Sequence, residues 1–144
     1  MSLTNIKYEK NHYLAFELNS TSRAKLLSIF IPKFSNVICH HVTIEFNLTQ
    51  EKLDNIKKDF SSNPKVQVYG YAISDGIECV AVAIDSKTDR LDGSFYHITL
   101  SIEPPRKPVE SNNLKDKVVL IRDMFRSHKL ETIKLSGEFK LLRK

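Results

Sequence analysis

Two short segments of the chain repeat one pattern of residues that could do chemistry. His41-Val42-Thr43 and His97-Ile98-Thr99 each place a histidine two residues before a threonine, with a β-branched residue between them. An imidazole titrates near neutral pH, so one ring can accept a proton from an attacking oxygen while a second gives a proton to a leaving oxygen. Threonine hydroxyls can donate hydrogen bonds to oxygens on which negative charge develops. The chemistry that uses all four groups together is phosphodiester cleavage without a metal.

Both patterns lie in segments that are typical of β-strands. Apolar β-branched and aromatic residues alternate with polar ones over residues 39–46 and 95–102. Residues two apart on a strand share a face, so each histidine lies beside its threonine. The opposite faces are apolar, with Val42, Ile44 and Phe46 in the first strand and Ile98, Leu100 and Ile102 in the second. Each strand is therefore expected to turn one face to the core and the imidazole and hydroxyl outwards.

The paired motifs resemble the two His-x-Thr/Ser signatures of the 2H phosphoesterase superfamily, also called LigT-like phosphoesterases. Residues 13–18 resemble its opening strand, and residues 32–41 resemble the approach to the first motif in its small members. The resemblance covers roughly the whole chain and implies a single domain over residues 1–144. The implied fold is α+β and two-lobed, with antiparallel sheets flanked by helices around a central groove.

The resemblance also implies a function and its residues. His41 and His97 would be the catalytic acid and base, and Thr43 and Thr99 would hold the phosphate. The implied enzyme is a metal-independent phosphodiesterase, and no cofactor or metal is predicted, since the sequence has no Gly-rich phosphate loop, carboxylate cluster or zinc pattern. Which histidine is the acid and which the base stays open.

The expected substrate is a nucleotide or short oligonucleotide. Small members of the superfamily include phage nucleases that degrade cyclic oligonucleotide signals and viral enzymes that act on cGAMP. A composition rich in Lys, Asn and Ile suits an AT-rich viral genome, so the first hypothesis is hydrolysis of cyclic nucleotide signals in viral immune evasion. The alternatives are processing of RNA 2′,3′-cyclic phosphate ends or 2′-5′ linkages, a non-catalytic RNA- or nucleotide-binding module, and an interaction domain in which the motif pair is coincidental.

Composition sets broad limits on the class of protein. The 144 residues are 41% hydrophobic and 27% charged, which is typical of a soluble globular domain. The net charge of +5 favours an anionic partner. Cys39 and Cys79 lie in apolar segments and are expected to be buried thiols. With no membrane-spanning run and no signal-peptide core, a cytoplasmic protein is expected, in the host cytoplasm if viral, without membrane association or an obligate protein partner.

Three helices are expected from apolar residues at helical spacing and from N-cap candidates. The first has its N-cap candidates at residues 19–22 and runs to about residue 30, and the others span residues 50–60 and 114–125. The apolar positions expected in the first two are Ala24, Leu27 and Ile31, then Leu53, Ile56 and Phe60. Pro32 is expected to end the first helix, and a loop over residues 33–37 leads to the first motif strand.

Four further strands are expected over residues 13–18, 65–74, 77–85 and 131–142, with Gly76 as a turn. The first strand alternates between two faces, Tyr13, Ala15 and Glu17 against Leu14, Phe16 and Leu18. Helices alternating with hairpin-like strands predict an α+β sandwich with antiparallel sheet.

Four additional residues are candidates for substrate binding, each with a simpler structural role as the alternative. Tyr13 could stack on a nucleobase or form a wall of the core. Arg106 and Lys107 could clamp a phosphate or be solvated loop residues. Glu138 could accept hydrogen bonds from a base or sugar, or be an edge-strand carboxylate.

Several other polar residues are expected to be structural. His40 should point away from His41, and His12 and His128 should lie on the surface. Ser111 and Asn112 could line the groove, but capping of the helix that follows is the expectation.

Overall fold

Two antiparallel β-sheets, each with one motif strand, form the framework of this computed structural model, which describes residues 2–124 and 132–144. The strands within these residues are β1 (His12–Leu18), β2 (Asn36–Val37), β3 (His41–Glu45), β4 (Val66–Ser74), β5 (Ile77–Ile84), β6 (His97–Ile102), β7 (Val119–Leu120), β8 (Ile133–Leu135) and β9 (Gly137–Arg143). The helices are α1 (Ser20–Ile29), α2 (Gln50–Asp59) and α3 (Ile121–Met124), with 3₁₀ helices at Leu3–Asn5 and Pro108–Lys117.

The motif strands belong to different sheets. The first sheet has the order β3-β1-β9, and the second has the order β2-β6-β5-β4-β7, with β8 also paired to β4. All of these pairings are antiparallel. The predicted α+β class, with antiparallel sheets about a central groove, is confirmed.

The main core contains apolar residues of both sheets and of α1 and α2. Leu14, Phe16 and Leu18 of β1 belong to it, as the alternation predicts, and Ile98 and Leu100 of β6 join them. A smaller cluster on the other face of the second sheet packs Leu114 of the second 3₁₀ helix against Cys79 and Ala81. The 3₁₀ helix therefore covers the face of β6 on which His97 and Thr99 lie, because these residues pair with Ala81 and Cys79.

Each motif strand has a β-bulge one residue after its threonine. In β3, Thr43 pairs with Ala15 and Glu45 with Leu14, which leaves Ile44 as the extra residue. In β6 the extra residue is Leu100. A bulge adds one residue to one strand and so reverses the alternation beyond it. The predicted core position of Phe46 is therefore wrong, because Phe46 lines the cavity described below. Ile102 is buried as predicted, but in the smaller cluster on the other face of the sheet.

The first helix is confirmed, but it faces the core through other residues than predicted. The Asn19 side chain caps it by accepting from the Ser22 N–H. Its buried residues are Ser22 and Leu26, whereas Ala24 is exposed, Leu27 is half-buried and Ile31, beyond the helix end, is 72% exposed. Ser22 faces inwards because its Oγ accepts the Ser136 N–H between β8 and β9. The second helix, with Leu53, Ile56 and Phe60 buried, is as predicted.

The C-terminal third differs from the sequence prediction. Instead of one helix over residues 114–125, the chain forms the second 3₁₀ helix, β7 and α3, because β7 pairs with Gly70 and Tyr71 of β4. The predicted strand over residues 131–142 divides at Ser136, since β8 pairs with the second sheet and β9 with the first. Phe125, His128 and Glu131 lie outside the described residues. No described helix has the length and hydropathy needed to cross a membrane.

The predictions for the two cysteines and for Gly76 agree with the structure, whereas that for the loop before the first motif strand agrees only in part. Cys39 and Cys79 are buried free thiols. Gly76 has a φ of +77° and forms the turn between β4 and β5. The predicted loop over residues 33–37 contains the short strand β2, which pairs with β6.

Candidate active site

A cavity of about 410 Å³ lies where the two sheets meet. The first sheet lines it with Tyr13, His41 and Thr43, and the second lines it with His97 and Thr99. The other lining residues come from connecting segments and from the second 3₁₀ helix, and they are Ile38, Phe46, Asn47, Arg90, Asp92, Pro108, Val109 and Asn112. The two His-x-Thr pairs, far apart in sequence, therefore lie at one cavity.

The chain crosses from one sheet to the other immediately before His41. The Cys39 N–H donates to the Thr99 carbonyl of β6 at 2.8 Å. One residue later, the His40 carbonyl accepts from the Leu18 N–H of β1 at 3.0 Å. Cys39 has a φ of +42°, in the left-handed region that residues with a side chain seldom adopt. This turn places His41 in the first sheet, although Cys39, two residues earlier, is still hydrogen-bonded to β6 of the second sheet.

His41 has partners on both of its ring nitrogens. Its Nε2 lies 3.3 Å from the Tyr13 hydroxyl, and its Nδ1 lies 2.9 Å from Nδ1 of His40. Burial raises the pKa of Tyr13 above its ordinary value, so the hydroxyl stays protonated at neutral pH. The expectation that His40 points away from His41 is wrong: β3 begins at His41, so strand alternation does not govern the residue before it.

His97 is more enclosed, at 8% exposure, and its tautomer follows from one contact. Its Nδ1 lies 2.9 Å from the Phe95 carbonyl, which can only accept a hydrogen bond. Nδ1 therefore carries the proton in the neutral ring, and Nε2 has the free lone pair. The Phe95 ring packs against the imidazole with 4.8 Å between centroids. His97 is thus held in one orientation with Nε2 available as a proton acceptor.

Burial makes both rings poor bases in the empty cavity. The pKa of His41 is lowered to about 4, chiefly by burial and then by His40, with Glu17 opposing. The pKa of His97 is also lowered to about 4, by burial and by Arg90, with the Phe95 carbonyl and Asp92 opposing. Both rings are therefore neutral at pH 7. An anion bound between them would raise both pKa values, because an opposite charge favours the protonated form.

The lowered pKa of His97 predicts a loss of stability in acid. The unfolded chain takes up a proton on this ring near pH 6.5, whereas the folded chain does so only near pH 4, so stability falls as pH decreases through that window. The expected contribution is up to about 3 kcal/mol between pH 7 and pH 4. Urea unfolding at pH 7 and pH 4.5 measures it. His97→Asn keeps a donor for Phe95 but does not titrate, so its free energy of unfolding should fall less; an equal decrease would contradict the assignment.

The two threonines are not equivalent. Thr43 lines the cavity, and its hydroxyl makes no hydrogen bond within the described residues. The Thr99 hydroxyl lies 3.2 Å from the Pro108 carbonyl and 2.8 Å from the fully buried Ser111 hydroxyl. The Thr43 hydroxyl can therefore donate to a ligand without breaking a hydrogen bond. The Thr99 hydroxyl has to give up a hydrogen bond within the protein before it can donate to a ligand.

A cluster of polar residues on the second sheet's side of the cavity was not predicted. Arg90, 8% exposed, pairs with Asp92 at 2.5 Å and donates to Oδ1 of Asn112 at 3.2 Å. Its Nε is buried without a hydrogen-bond partner in the described part of the chain. Ser94 also donates to Oδ1 of Asn112, at 2.8 Å, so the amide NH₂ of Asn112 is left to donate to a ligand. Asn112 lines the cavity and caps no helix, contrary to expectation.

An aromatic wall borders His41. The rings of Tyr13 and Phe46 lie 5.2 Å apart, and those of Tyr13 and His41 lie 5.8 Å apart. Phe46 is 45% exposed, and Lys144 Nζ lies 4.8 Å from its ring centroid. Tyr13 was a candidate from sequence, but Phe46 was missed because the bulge that turns it to the cavity has no signature in the sequence.

The other three predicted substrate-binding residues do not line the cavity. Arg106 donates to the Asp75 carbonyl and pairs with Glu110 at 2.9 Å. The Lys107 backbone N–H also donates to the Glu110 carboxylate. Glu138 is an exposed residue of β9, opposite Glu17. Arg106 and Lys107 instead fix the start of the second 3₁₀ helix, whose residues Pro108, Val109 and Asn112 reach the cavity.

Comparison with known proteins identifies a shared fold. A crystal structure of a fungal RNA kinase superposes on the chain with a TM-score of 0.60 at 14% sequence identity. The match covers 97% of this chain and 47% of the kinase chain, so this chain spans about half of the kinase's length. No protein-family model matches the sequence, and neither does any curated protein. At this identity the likeness establishes the fold, and the chemistry has to be argued from the cavity.

Proposed function

We propose that the cavity cleaves a phosphodiester bond of a nucleotide by acid–base catalysis with His41 and His97. One observation carries this proposal: His-x-Thr pairs from two different sheets converge on one cavity, and Nε2 of each ring is turned away from its anchoring contact on Nδ1. Structural histidines do not require this convergence. A non-catalytic binding module would not require two imidazoles.

The reaction uses the four motif residues in complementary roles. A neutral imidazole takes a proton from water or a ribose hydroxyl as that oxygen bonds to phosphorus. The second imidazole, protonated when the phosphate anion enters, gives its proton to the leaving oxygen as the P–O bond breaks. Thr43 and Thr99 donate to the non-bridging oxygens, where negative charge increases. The direction of attack decides which ring begins as the base, so either histidine can take that role.

The size and charge of the cavity favour a small substrate. About 410 Å³ is within the range of small-molecule sites. Among the described lining residues Arg90 is the one lysine or arginine, and Asp92 balances its charge. Such a lining suits a single phosphodiester better than a polyanion, which binds to clusters of basic residues. The Tyr13–Phe46 wall offers stacking to a base, and the Asn112 amide offers a hydrogen bond.

We therefore propose a cyclic phosphodiester as the substrate, and two sources could supply it. The first is a cyclic nucleotide or cyclic oligonucleotide signal such as cGAMP, whose removal would serve viral immune evasion. The second is an RNA 2′,3′-cyclic phosphate end, with 2′-5′ linkages as a related case. The fold shared with a fungal RNA kinase favours this second candidate.

A substrate panel in excess EDTA tests the proposal and separates the two sources. The panel contains a 2′,3′-cyclic mononucleotide, an RNA with a 2′,3′-cyclic phosphate end, 2′-5′ oligoadenylate, cGAMP isomers and cyclic trinucleotides. Cleavage of the last two groups alone supports the signal-degrading enzyme, and cleavage of RNA ends supports processing. Binding of these ligands without cleavage would indicate the non-catalytic module. Activity that requires an added divalent ion would contradict the two-histidine mechanism.

The asymmetry of the threonines predicts different effects from two matched substitutions. Thr43→Val should reduce kcat/KM about tenfold to a hundredfold and leave the melting temperature unchanged, because the lost hydroxyl has no hydrogen-bond partner among residues 2–124 and 132–144. Thr99→Val should reduce activity similarly and also destabilise the fold by about 1–3 kcal/mol, since buried Ser111 loses its partner. Thr99→Ser, which keeps the hydroxyl, should restore both. Equal stability of the two valine variants would contradict the assigned contacts.

A further inference from the structure

His40 and Glu17 lie outside the cavity lining and connect to His41 through one hydrogen bond and one charge contact. His40 Nδ1 lies 2.9 Å from His41 Nδ1, and His40 Nε2 lies 3.5 Å from Oε2 of Glu17. The side chains of His40 and Glu17 are 49% and 26% exposed. Glu17 belongs to β1, where its backbone pairs with that of His41, so the sheet register holds the three residues together.

Glu17, His40 and His41 form a row, and the Glu17 carboxylate at its end decides which ring nitrogens carry protons. The Glu17 carboxylate can only accept, so neutral His40 places its proton on Nε2, facing Glu17. His40 Nδ1 is then an acceptor, and the short contact between the two rings requires His41 to donate from Nδ1. His41 Nε2 is left with its lone pair towards the cavity and accepts from the Tyr13 hydroxyl. Hydrogen bonds that run in one direction thus join Tyr13, His41 and His40, and the Glu17 carboxylate acts on His40 Nε2 as a negative charge at 3.5 Å.

We infer that His40 and Glu17 are positioning residues that fix the tautomer of His41 and stabilise its protonated form during phosphodiester cleavage. This inference rests on the proposed function. When His41 gains a proton at Nε2, its Nδ1–H still donates to His40, and the Glu17 carboxylate balances the new charge through that ring. His97 has a simpler support, the Phe95 carbonyl.

Other charged and titratable groups also face this row. Tyr13 of β1 contacts His41, and Lys140 of β9 lies 3.4 Å from Oε1 of Glu17. His97 of β6, when protonated, lowers the pKa of His41. Arg23 of α1 donates to the Cys39 carbonyl, next to His40. Substitution of His40 leaves the Lys140–Glu17 ion pair in place, whereas Glu17→Gln also removes that pair, so the His40 variant is the cleaner test of the row.

The tautomer can be measured directly and without a substrate. Two-bond ¹H–¹⁵N spectra of the labelled full chain at neutral pH should show His41 protonated at Nδ1 and unprotonated at Nε2. In His40→Ala the resonances should shift towards a mixture of tautomers. A proton on Nε2 of His41 in the unsubstituted protein, or an unchanged pattern in His40→Ala, would overturn the inference.

The chain contains a matched control for the kinetic test. His12 and Glu9 form a second histidine–carboxylate pair with the same 3.5 Å separation, and neither lines the cavity. His40→Ala should lower kcat about tenfold with little change in KM, whereas His12→Ala should change neither. Glu17→Gln should move the limb of the pH–rate profile that reports His41 to lower pH, because Glu17 raises the pKa of His41. Glu9→Gln should leave that limb in place.

The outcomes separate this inference from the proposed function. If the unsubstituted protein cleaves no member of the panel, the proposed function fails while the tautomer measurement still decides the role of His40. If it cleaves a substrate and both His40→Ala and Glu17→Gln have the same kcat and pH profile as it does, the positioning role fails and the two-histidine mechanism stands.

Discussion

His97→Asn is expected to lower kcat/KM for phosphodiester cleavage by about 100- to 10,000-fold, the range that a positioned acid or base contributes. Asparagine places an amide nitrogen near the position of Nδ1, so the hydrogen bond to the Phe95 carbonyl can be kept while Nε2 is removed. His41→Asn should have an effect of the same order, with its amide directed to His40. Initial rates across the substrate panel measure both losses.

The combination of the two substitutions is equally informative. Because the rings act as one unit, the double variant should be little slower than either single variant. His12→Asn, at the start of β1 and outside the cavity lining, is the control and should retain full activity. A single variant that keeps more than about a tenth of the rate would remove that ring from the acid–base pair. Unchanged far-UV circular dichroism is required of each variant before its rate is interpreted.

Glu78→Ala is expected to lower the free energy of unfolding by about 3–5 kcal/mol, a large part of the 5–15 kcal/mol typical of a domain. Glu78 is fully buried in β5 and accepts from the Tyr71 hydroxyl at 2.6 Å, the Lys33 N–H at 2.8 Å and the Ser101 hydroxyl. Alanine would leave these three donors without an acceptor. The Lys33 contact also tethers the segment that leads to the first motif strand, so activity should decrease with stability.

Glu78→Gln separates the loss of an acceptor from the loss of volume. Glutamine keeps the size of the side chain but places an NH₂ group among donors, so an intermediate loss of about 1–3 kcal/mol is expected. Glu51→Gln, an exposed carboxylate in the first turn of α2, should change stability by no more than about 0.5 kcal/mol. Urea unfolding of the three variants measures these differences. A Glu78→Ala variant as stable as Glu51→Gln would show that the buried carboxylate contributes nothing.

Local patterns in the sequence were sufficient for much of the architecture. Alternation in residues 13–18 predicted the two faces of β1, and helical spacing predicted the buried residues of α2. The two His-x-Thr pairs stood out because each lay in an alternating strand. These features depend on contacts between near neighbours and on burial of one face, which periodicity records.

The remaining features depend on contacts between distant segments, which periodicity does not record. The bulges at Ile44 and Leu100 follow from pairing with β1 and β5, and they move Phe46 to the cavity. The last strand segment divides into β8 and β9 because β8 pairs with β4 and β9 pairs with β1. Arg90 and Asn112 meet only because the second 3₁₀ helix folds over the second sheet.

The side chain of His40 shows a further limit of strand alternation. That rule assigned the His40 side chain to the face opposite His41. The chain makes a left-handed turn at Cys39, however, and β3 begins only at His41, so His40 does not have strand geometry. A positive φ at a cysteine is rare and has no signature in the sequence. The strongest expectations about chemistry thus came from the repeated His-x-Thr pairs. The residues that contact these pairs could be identified only from the structure.

The most direct test of the two-histidine site is turnover in excess EDTA of whichever panel substrate is cut fastest, by the unsubstituted protein and by the His41→Asn/His97→Asn double variant. Metal-independent cleavage is predicted for the unsubstituted protein, with a decrease of at least about 100-fold in the double variant. Comparable rates for the two proteins would contradict the assignment of both histidines. So would the absence of cleavage from every panel reaction of a folded, unsubstituted protein.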